Sequence, residues 1–286
     1  MPSRYDLTRD DLATLLAGEP AYRVGQAWAG LHRRGVGPEA MTDLPAALRH
    51  RLAGEPAFAP GLRVLHAVGD GGGAHKWVFE VAGGARVEAV LLTHHDRSTV
   101  CISSQAGCAM ACGFCATGQA GFERNLTVGE MVEQVVVAAA AARAGGRRLS
   151  RVVLMGMGEP LANYERVWAA IERIHDDLGL AARHLTVSTV GLVPGIHRLA
   201  GERLGVNLAV SLHAADDERR DRLVPINRRY PLADLVEACR HWRAATGRRL
   251  SFEWALIAGV NDRPTDAARL AALARDLGAH VNLIPL

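Results

Sequence analysis

Residues 98–130 read STVCISSQAGCAMACGFCATGQAGFERNLTVGE. A short β-like run at 99–103 leads into a loop with three cysteines, and Thr127 with Glu130 then forms a capping-box pattern that opens a helix over 127–144. Strand, loop and helix in that order are one unit of a parallel α/β fold, and the alternation continues to the end of the chain. Further strands are expected at 151–155, 184–188, 206–212, 250–257 and 280–285, with helices at 164–178, 194–200, 232–246 and 264–277. About six such units are too few for an eight-stranded closed barrel. The expected fold is α/β, an open partial (β/α)6 barrel with its site at the carboxyl ends of the strands.

Upstream of this core the pattern changes twice. Over 7–52 apolar residues recur with helical spacing, Leu12, Leu15 and Leu16, then Val24, Ala27, Trp28 and Leu31, then Leu44, Leu48 and Leu52, broken by Gly35, Gly37 and Pro38. After Pro60 come β-like runs at 62–68, 77–81 and 87–93, separated by the turns DGGG and AGGA. The expected organisation is a small N-terminal helical domain over 1–58, a β-rich hairpin connector over 59–97, and the core over 98–286, which ends after its sixth strand.

The composition suits a folded chain: 49% of the 286 residues are hydrophobic and 22% charged, which excludes a mainly disordered protein. The longest strongly apolar stretch, 135–142, is far too short to span a membrane, and the N-terminus has no hydrophobic signal core. No membrane association and a cytoplasmic location are expected. The formal charge of +3 permits a nucleic-acid partner without requiring one. The basic residues are almost all arginine, so the single lysine, Lys76, stands out against an exposed-charge reading.

Five cysteines, clustered as they are, do not make a disulfide framework. Cys108, Cys112 and Cys115 have the spacing CxxxCxxC. Three thiolates so placed can hold three irons of a 4Fe-4S cluster and leave the fourth open to a ligand. A zinc site completed by a distant histidine is the alternative. In the loop after the second core strand, Gly156-Met157-Gly158-Glu159-Pro160, the carboxylate either accepts hydrogen bonds from a charged amine or caps the next helix. Ser188 ends the third strand and Ser211, Leu212 and His213 end the fourth, so several polar groups converge on one mouth.

The cysteine spacing resembles the radical S-adenosylmethionine (SAM) superfamily. In that superfamily the amine and carboxylate of SAM chelate the open iron, and reduction cleaves SAM to methionine and a 5′-deoxyadenosyl radical. The stretches 103–130, GMGEPL at 156–161, SLHAADDERRDRLVPIN at 211–227, LIAGVND at 256–262, VNLIP at 281–285 and MTDLPAALR at 41–49 are similar to the RlmN/Cfr family of RNA adenine methyltransferases. The resemblance implies a radical SAM barrel, a 4Fe-4S cluster on Cys108, Cys112 and Cys115, and SAM held by Gly158, Glu159, Ser188, Ser211, Leu212 and His213. It implies methylation of adenine C2 in 23S rRNA and tRNA, with C8 as the Cfr-type outcome, by a monomer that takes electrons from a flavodoxin or ferredoxin. An unreactive ring carbon needs such cofactor chemistry.

By the same resemblance Cys101 matches the cysteine that resolves a protein–RNA crosslink, and Glu88 the acceptor of the ring proton. The bland alternatives are a buried strand cysteine and an outward-facing strand carboxylate. Cys239, among apolar neighbours in LADLVEACRHWR, reads as core. Arg143, Arg147, Arg148 and Arg151, and Arg219, Arg220, Arg222, Arg228 and Arg229, are either phosphate contacts or solvated helix ends. Family members continue past VNLIP, through an Asn-Pro that helps to hold SAM, to a methyl-carrying cysteine, and these 286 residues contain neither. The chain as written is therefore expected to cleave SAM without completing methyl transfer. The alternatives are a radical SAM enzyme of another reaction and an inactive iron–sulfur RNA-binding protein.

Overall fold

A computed structural model describes residues 3–71, 73–94 and 97–286. Gly72, within the expected DGGG turn, and His95 and Asp96, at the end of the expected connector, lie outside the described residues, as do Met1 and Pro2.

The chain opens with helices α1 (Arg9–Leu15), α2 (Tyr22–Ala29) and α3 (Ala46–Ala53), with a π-helical turn at Gly30–Arg34 continuing α2. Strands β1 (Arg63–Gly69), β2 (Ala74–Glu80) and β3 (Arg86–Thr93) follow as an antiparallel meander, then β4 (Ser98–Cys101). The cysteine loop lies between β5 (Gln105–Gly107) and β6 (Phe122–Asn125), with the short helix α4 (Ala116–Ala120) inside it. The remaining elements are α5 (Val128–Ala144), β7 (Leu149–Leu154), α6 (Tyr164–Asp176), β8 (Leu185–Thr189), α7 (Val193–Ala200), β9 (Asn207–Ser211), α8 (Asp217–Leu223), α9 (Leu232–Thr246), β10 (Ser251–Leu256), α10 (Pro264–Leu277) and β11 (His280–Pro285).

Nine strands form one sheet in the order β1-β2-β3-β4-β7-β8-β9-β10-β11. From β4 to β11 every neighbouring pair is parallel, which is the six-stranded partial barrel. The meander is more than a connector. Its β3 pairs antiparallel with β4, Val90 opposite Cys101, and so extends the barrel sheet on one side. Because β3 runs against β4, the start of β3 lies beside the carboxyl end of β4, at the mouth of the barrel.

Alternation sorts the strand residues between two faces. Val100, Val152, Val187, Leu208, Val210, Phe252 and Trp254 are buried in the core, while Cys101, Val153, Ser188, Ser211 and Glu253 take the opposite, concave face. Helix α5 starts where the sequence indicates. Thr127 Oγ1 accepts from the Glu130 N–H at 3.1 Å, and Glu130 Oε2 accepts from the Thr127 N–H at 2.9 Å.

Asp6 from the N-terminal segment adds a carboxylate to this helix start, accepting from the Gly129 N–H at 2.6 Å and from Thr127 Oγ1 at 2.9 Å. A Cβ at position 129 would sit 2.5 Å from the Asp6 nitrogen, so only glycine permits the approach. Trp28 Nε1, donating to Asp177 at 2.7 Å, fixes the helical module a second time.

Candidate active site

The cysteine loop is fastened at its base. Gly107 pairs with Phe122 in the β5/β6 ladder, and the Cys108 N–H donates to Gly121 O at 2.8 Å. Within the loop Cys112 O accepts from Cys115 N and Gln119 Nε2, both at 3.1 Å, and Gly113 N donates to Leu223 O at the end of α8 at 3.0 Å. Ala111 takes a left-handed conformation, φ 53°. Backbone bonds and the Gln119 amide thus shape the loop, and none of its thiols is in a disulfide.

The three thiols line a cavity of about 320 Å³ at the carboxyl ends of the parallel strands. Cys112 is buried and the other two are half-buried. Burial pushes the Cys112 thiol up to about 12, with the neighbouring Cys108 and Cys115 adding to the rise. Among the described residues no three His, Cys, Asp or Glu side chains converge closely enough to hold one ion. A zinc site needs its ligands about 2.0–2.3 Å from a single centre, whereas cluster thiolates each take a different iron and need not meet. The loop fits the cluster.

Gly158, Glu159, Ser188, Ser211, His213 and Glu253 line the same cavity. Glu159 is fully buried, and burial pushes its carboxyl up to about 7 against hydrogen bonds that pull the other way. Its Oε1 accepts from the Leu161 N–H at 3.0 Å and its Oε2 from the Val190 N–H at 2.8 Å. The carboxylate thus caps backbone N–H groups and also takes a hydrogen bond from the Thr189 side chain, which leaves lone-pair capacity for one further donor. His213 Nδ1 accepts from the Ala255 N–H at 2.9 Å, which places any proton of the neutral ring on Nε2. Burial, with help from Arg220, lowers His213 to about 3, so it is a neutral hydrogen-bonding group rather than a proton shuttle. Its φ of 59° is strained, and its ring packs edge-on against Phe114 of the cysteine loop at 4.4 Å.

Leu212 is not among the lining residues. Its side chain is buried, its N–H donates to Glu253 O at 3.0 Å, and its carbonyl accepts from Arg220, so it stands behind the wall. Cys101 and Glu88 are also outside the lining but share the concave face on adjacent strands, Glu88 two residues from Val90, the cross-strand partner of Cys101. Burial pushes the Cys101 thiol up to about 11. Glu88 is half-exposed and paired at 2.7 Å with Nζ of Lys76, the chain's single lysine. Cys239 is buried in α9, as expected of a core residue.

Two arginine expectations are corrected. Arg220 is fully buried, and Arg219 is paired with Asp266 and Asp216, so neither is free for phosphate. Arg222, Arg228 and Arg229 remain exposed after the carboxyl end of β9. Arg143 donates to Arg34 O at 3.0 Å and Arg147 to His94 O, near the amino end of the barrel. Glu253 is a lining residue beyond those expected from the sequence. Ser251 and Glu253 alternate with Phe252 and Trp254 in SFEWAL, a period-2 pattern that marks one polar face, and Ser251 Oγ at 3.1 Å and Asn282 Nδ2 at 2.7 Å both donate to the Glu253 carboxylate.

An open parallel barrel with three cysteines in the loop after its first strand, facing a polar wall, defines a radical SAM enzyme. A family model described as the Radical SAM superfamily matches residues 102–271. A "Probable dual-specificity RNA methyltransferase RlmN" of Salinispora tropica is 53% identical over all of this chain and 81% of its own length. A protein of the same description from Chloroflexus aurantiacus is 51% identical over 98% of this chain and 79% of its own length. The crystal structure of a radical SAM methyltransferase from Sphaerobacter thermophilus superposes with a TM-score of 0.93 at 49% identity, covering 100% of this chain and 85% of that one. The chain belongs to the RlmN family of radical SAM RNA methyltransferases. Its cofactors are a 4Fe-4S cluster and SAM. No helix among the described residues is long and apolar enough to cross a membrane.

Proposed function

We propose that the reaction this site serves is methylation of C2 of adenine in 23S rRNA and tRNA. The observation that carries this is the cavity at the strand ends, where the three thiols face Glu159, Ser188, Ser211 and His213; the dual-specificity RNA description shared by its relatives agrees with it. When bound, the cluster supplies the electron for reductive cleavage of SAM, and so the hydrogen-abstracting power that an unreactive ring carbon demands. Cys108, Cys112 and Cys115 hold three of its irons. Glu159 would accept from the SAM amine through the lone-pair capacity that Leu161, Val190 and Thr189 leave, Ser188 and Ser211 would offer hydroxyls, and His213 a neutral donor.

In the same proposal Glu88, paired with Lys76, takes the ring proton, and Cys101 would resolve the crosslink to the methyl-carrying cysteine of a fused carboxyl-terminal segment by forming a disulfide with it, the electron pair of the broken S–C bond passing to the RNA carbon, which is then protonated. The adenine must leave its stack to reach the cavity, and Arg222, Arg228 and Arg229 border that approach. The electron donor is a flavodoxin or ferredoxin, the location is the cytoplasm, and the working unit is a monomer. The test is mass analysis of nucleosides from 23S rRNA and tRNA lacking the modification, after incubation with SAM, reductant and cluster-loaded protein to which a relative's methyl-carrying carboxyl-terminal segment has been fused after Leu286. 2-Methyladenosine in both is expected, and 8-methyladenosine or a methyl on N6 overturns the assignment.

Burial of Glu159 makes a second expectation. Its pKa is raised from 4.5 to about 7, so between those values the folded protein keeps a proton that the unfolded chain has released. Stability from this group is full below about 4.5 and is lost as pH rises to about 7, by on the order of 3 kcal/mol. Glu159→Gln removes that dependence. Between pH 4.5 and 8 the difference in unfolding free energy should move in favour of the Gln variant by up to about 3 kcal/mol, and parallel pH profiles in denaturant titrations would contradict this.

A further inference from the structure

Arg220 is a buried charge that the proposed reaction does not use. None of its surface is exposed. Nε donates to Leu212 O at 3.1 Å, Nη1 to Asn227 Oδ1 at 2.7 Å, and Nη2 to Val190 O at 2.6 Å and Ser211 O at 3.4 Å. All four acceptors are uncharged. Asp217 and Asp221 lie one layer further out, each accepting from Asn227 Nδ2, at 2.9 and 2.6 Å, so an amide separates the guanidinium from the carboxylates.

A cation buried without an anion in contact is costly, and burial pulls Arg220 down to about 10. Val190 and Ser211, whose carbonyls accept from Nη2, line the same cavity as Cys112, so the guanidinium stands directly behind that cavity's wall. The Gly113 N–H bond to Leu223 O also clamps the cysteine loop to the end of α8, the helix that carries Arg220.

We propose that Arg220 is a positioning residue whose charge, set behind Cys112 and shielded from carboxylates by Asn227, favours the reduced form of the loaded site. The inference rests on the three cysteines holding a cluster. Reduction there adds one electron and no proton, supplied by a low-potential one-electron donor, for which dithionite serves in the test. A cation in an interior of low dielectric acts on that added charge more strongly than one in water. Loss of the cation therefore disfavours reduction, whereas loss of the fork alone loosens the loops at 190 and 211–212 and leaves the charge.

The test is an equilibrium redox titration of the cluster-loaded protein without SAM, followed by the spin signal of the reduced form. Arg220→Gln should lower the reduced-to-oxidised ratio at a fixed potential about tenfold, which is about 59 mV for one electron. Arg220→Lys, which keeps the charge, should stay within about threefold of wild type, and Asp221→Asn, which removes a distant negative charge, should shift the ratio about threefold the other way. Equal shifts for Gln and Lys, or none for either, would overturn the charge role and leave a structural fork. If the Gln variant does not fold, Asp221→Asn decides, and an unmoved ratio overturns the proposal. Wild-type protein that takes up no iron–sulfur group would instead remove the cluster assignment beneath it.

Discussion

Cys112→Ala should abolish both the cluster and SAM cleavage. Cys112 is the most enclosed of the three cysteines, and its carbonyl, not its thiol, holds the loop together through Cys115 N and Gln119 Nε2. Alanine preserves those backbone bonds. The loop should therefore keep its shape while one of three iron ligands is lost. Iron and sulfide after anaerobic reconstitution should fall to background, and 5′-deoxyadenosine formation should fall at least a thousandfold, about 4 kcal/mol of barrier. Stoichiometric zinc in the wild type, with cleavage undiminished in the variant, would contradict the cluster assignment.

The second large effect comes from a methyl group. Gly158 has φ +98°, and a Cβ there would lie 2.5 Å from Gln105 Cβ and 2.8 Å from its backbone nitrogen. Strain and overlap together should cost Gly158→Ala about 3 kcal/mol. Gln105 also holds the site, since its Oε1 accepts from the Glu159 N–H at 2.8 Å. Any relief of the overlap therefore displaces Glu159. SAM affinity should fall at least tenfold, about 1.4 kcal/mol, with a clear loss of thermal stability. Gly179→Ala is the control: φ is +77° but nothing lies within 4 Å of the added Cβ, so it should pay strain alone and bind SAM normally. Equal SAM affinity for the two variants would contradict the packing argument.

The features legible in the sequence are local ones. The capping box at Thr127 and Glu130 places the start of α5, and the apolar spacing of 232–246 and 264–277 gives α9 and α10 to the residue. The cysteine triplet and the GMGEP loop both mark the cavity, because each follows a strand whose carboxyl end must open on the mouth. Non-local pairing is harder to read. Nothing in 62–93 states that β3 joins β4, since alternation gives a face and not a neighbour, and the β5/β6 ladder is too short to leave a periodic signal.

Charged residues turned inward are the other gap. Arg219, Arg220 and Arg222 look alike in the run ERRDR, yet they are respectively ion-paired, buried and exposed. The acceptors that separate them, Val190 O, Leu212 O and Asp266, come from distant strand ends and from α10. Glu88 likewise acquires a partner, Lys76, only when β2 and β3 pair.

The most direct measurement is the fate of SAM on the wild-type protein after anaerobic reconstitution, with dithionite as reductant and products resolved by chromatography and mass. The site described here predicts 5′-deoxyadenosine and methionine, formed only when both cluster and reductant are present. SAM left intact by protein that carries a full cluster, or converted only to S-adenosylhomocysteine, would contradict radical SAM chemistry in this cavity.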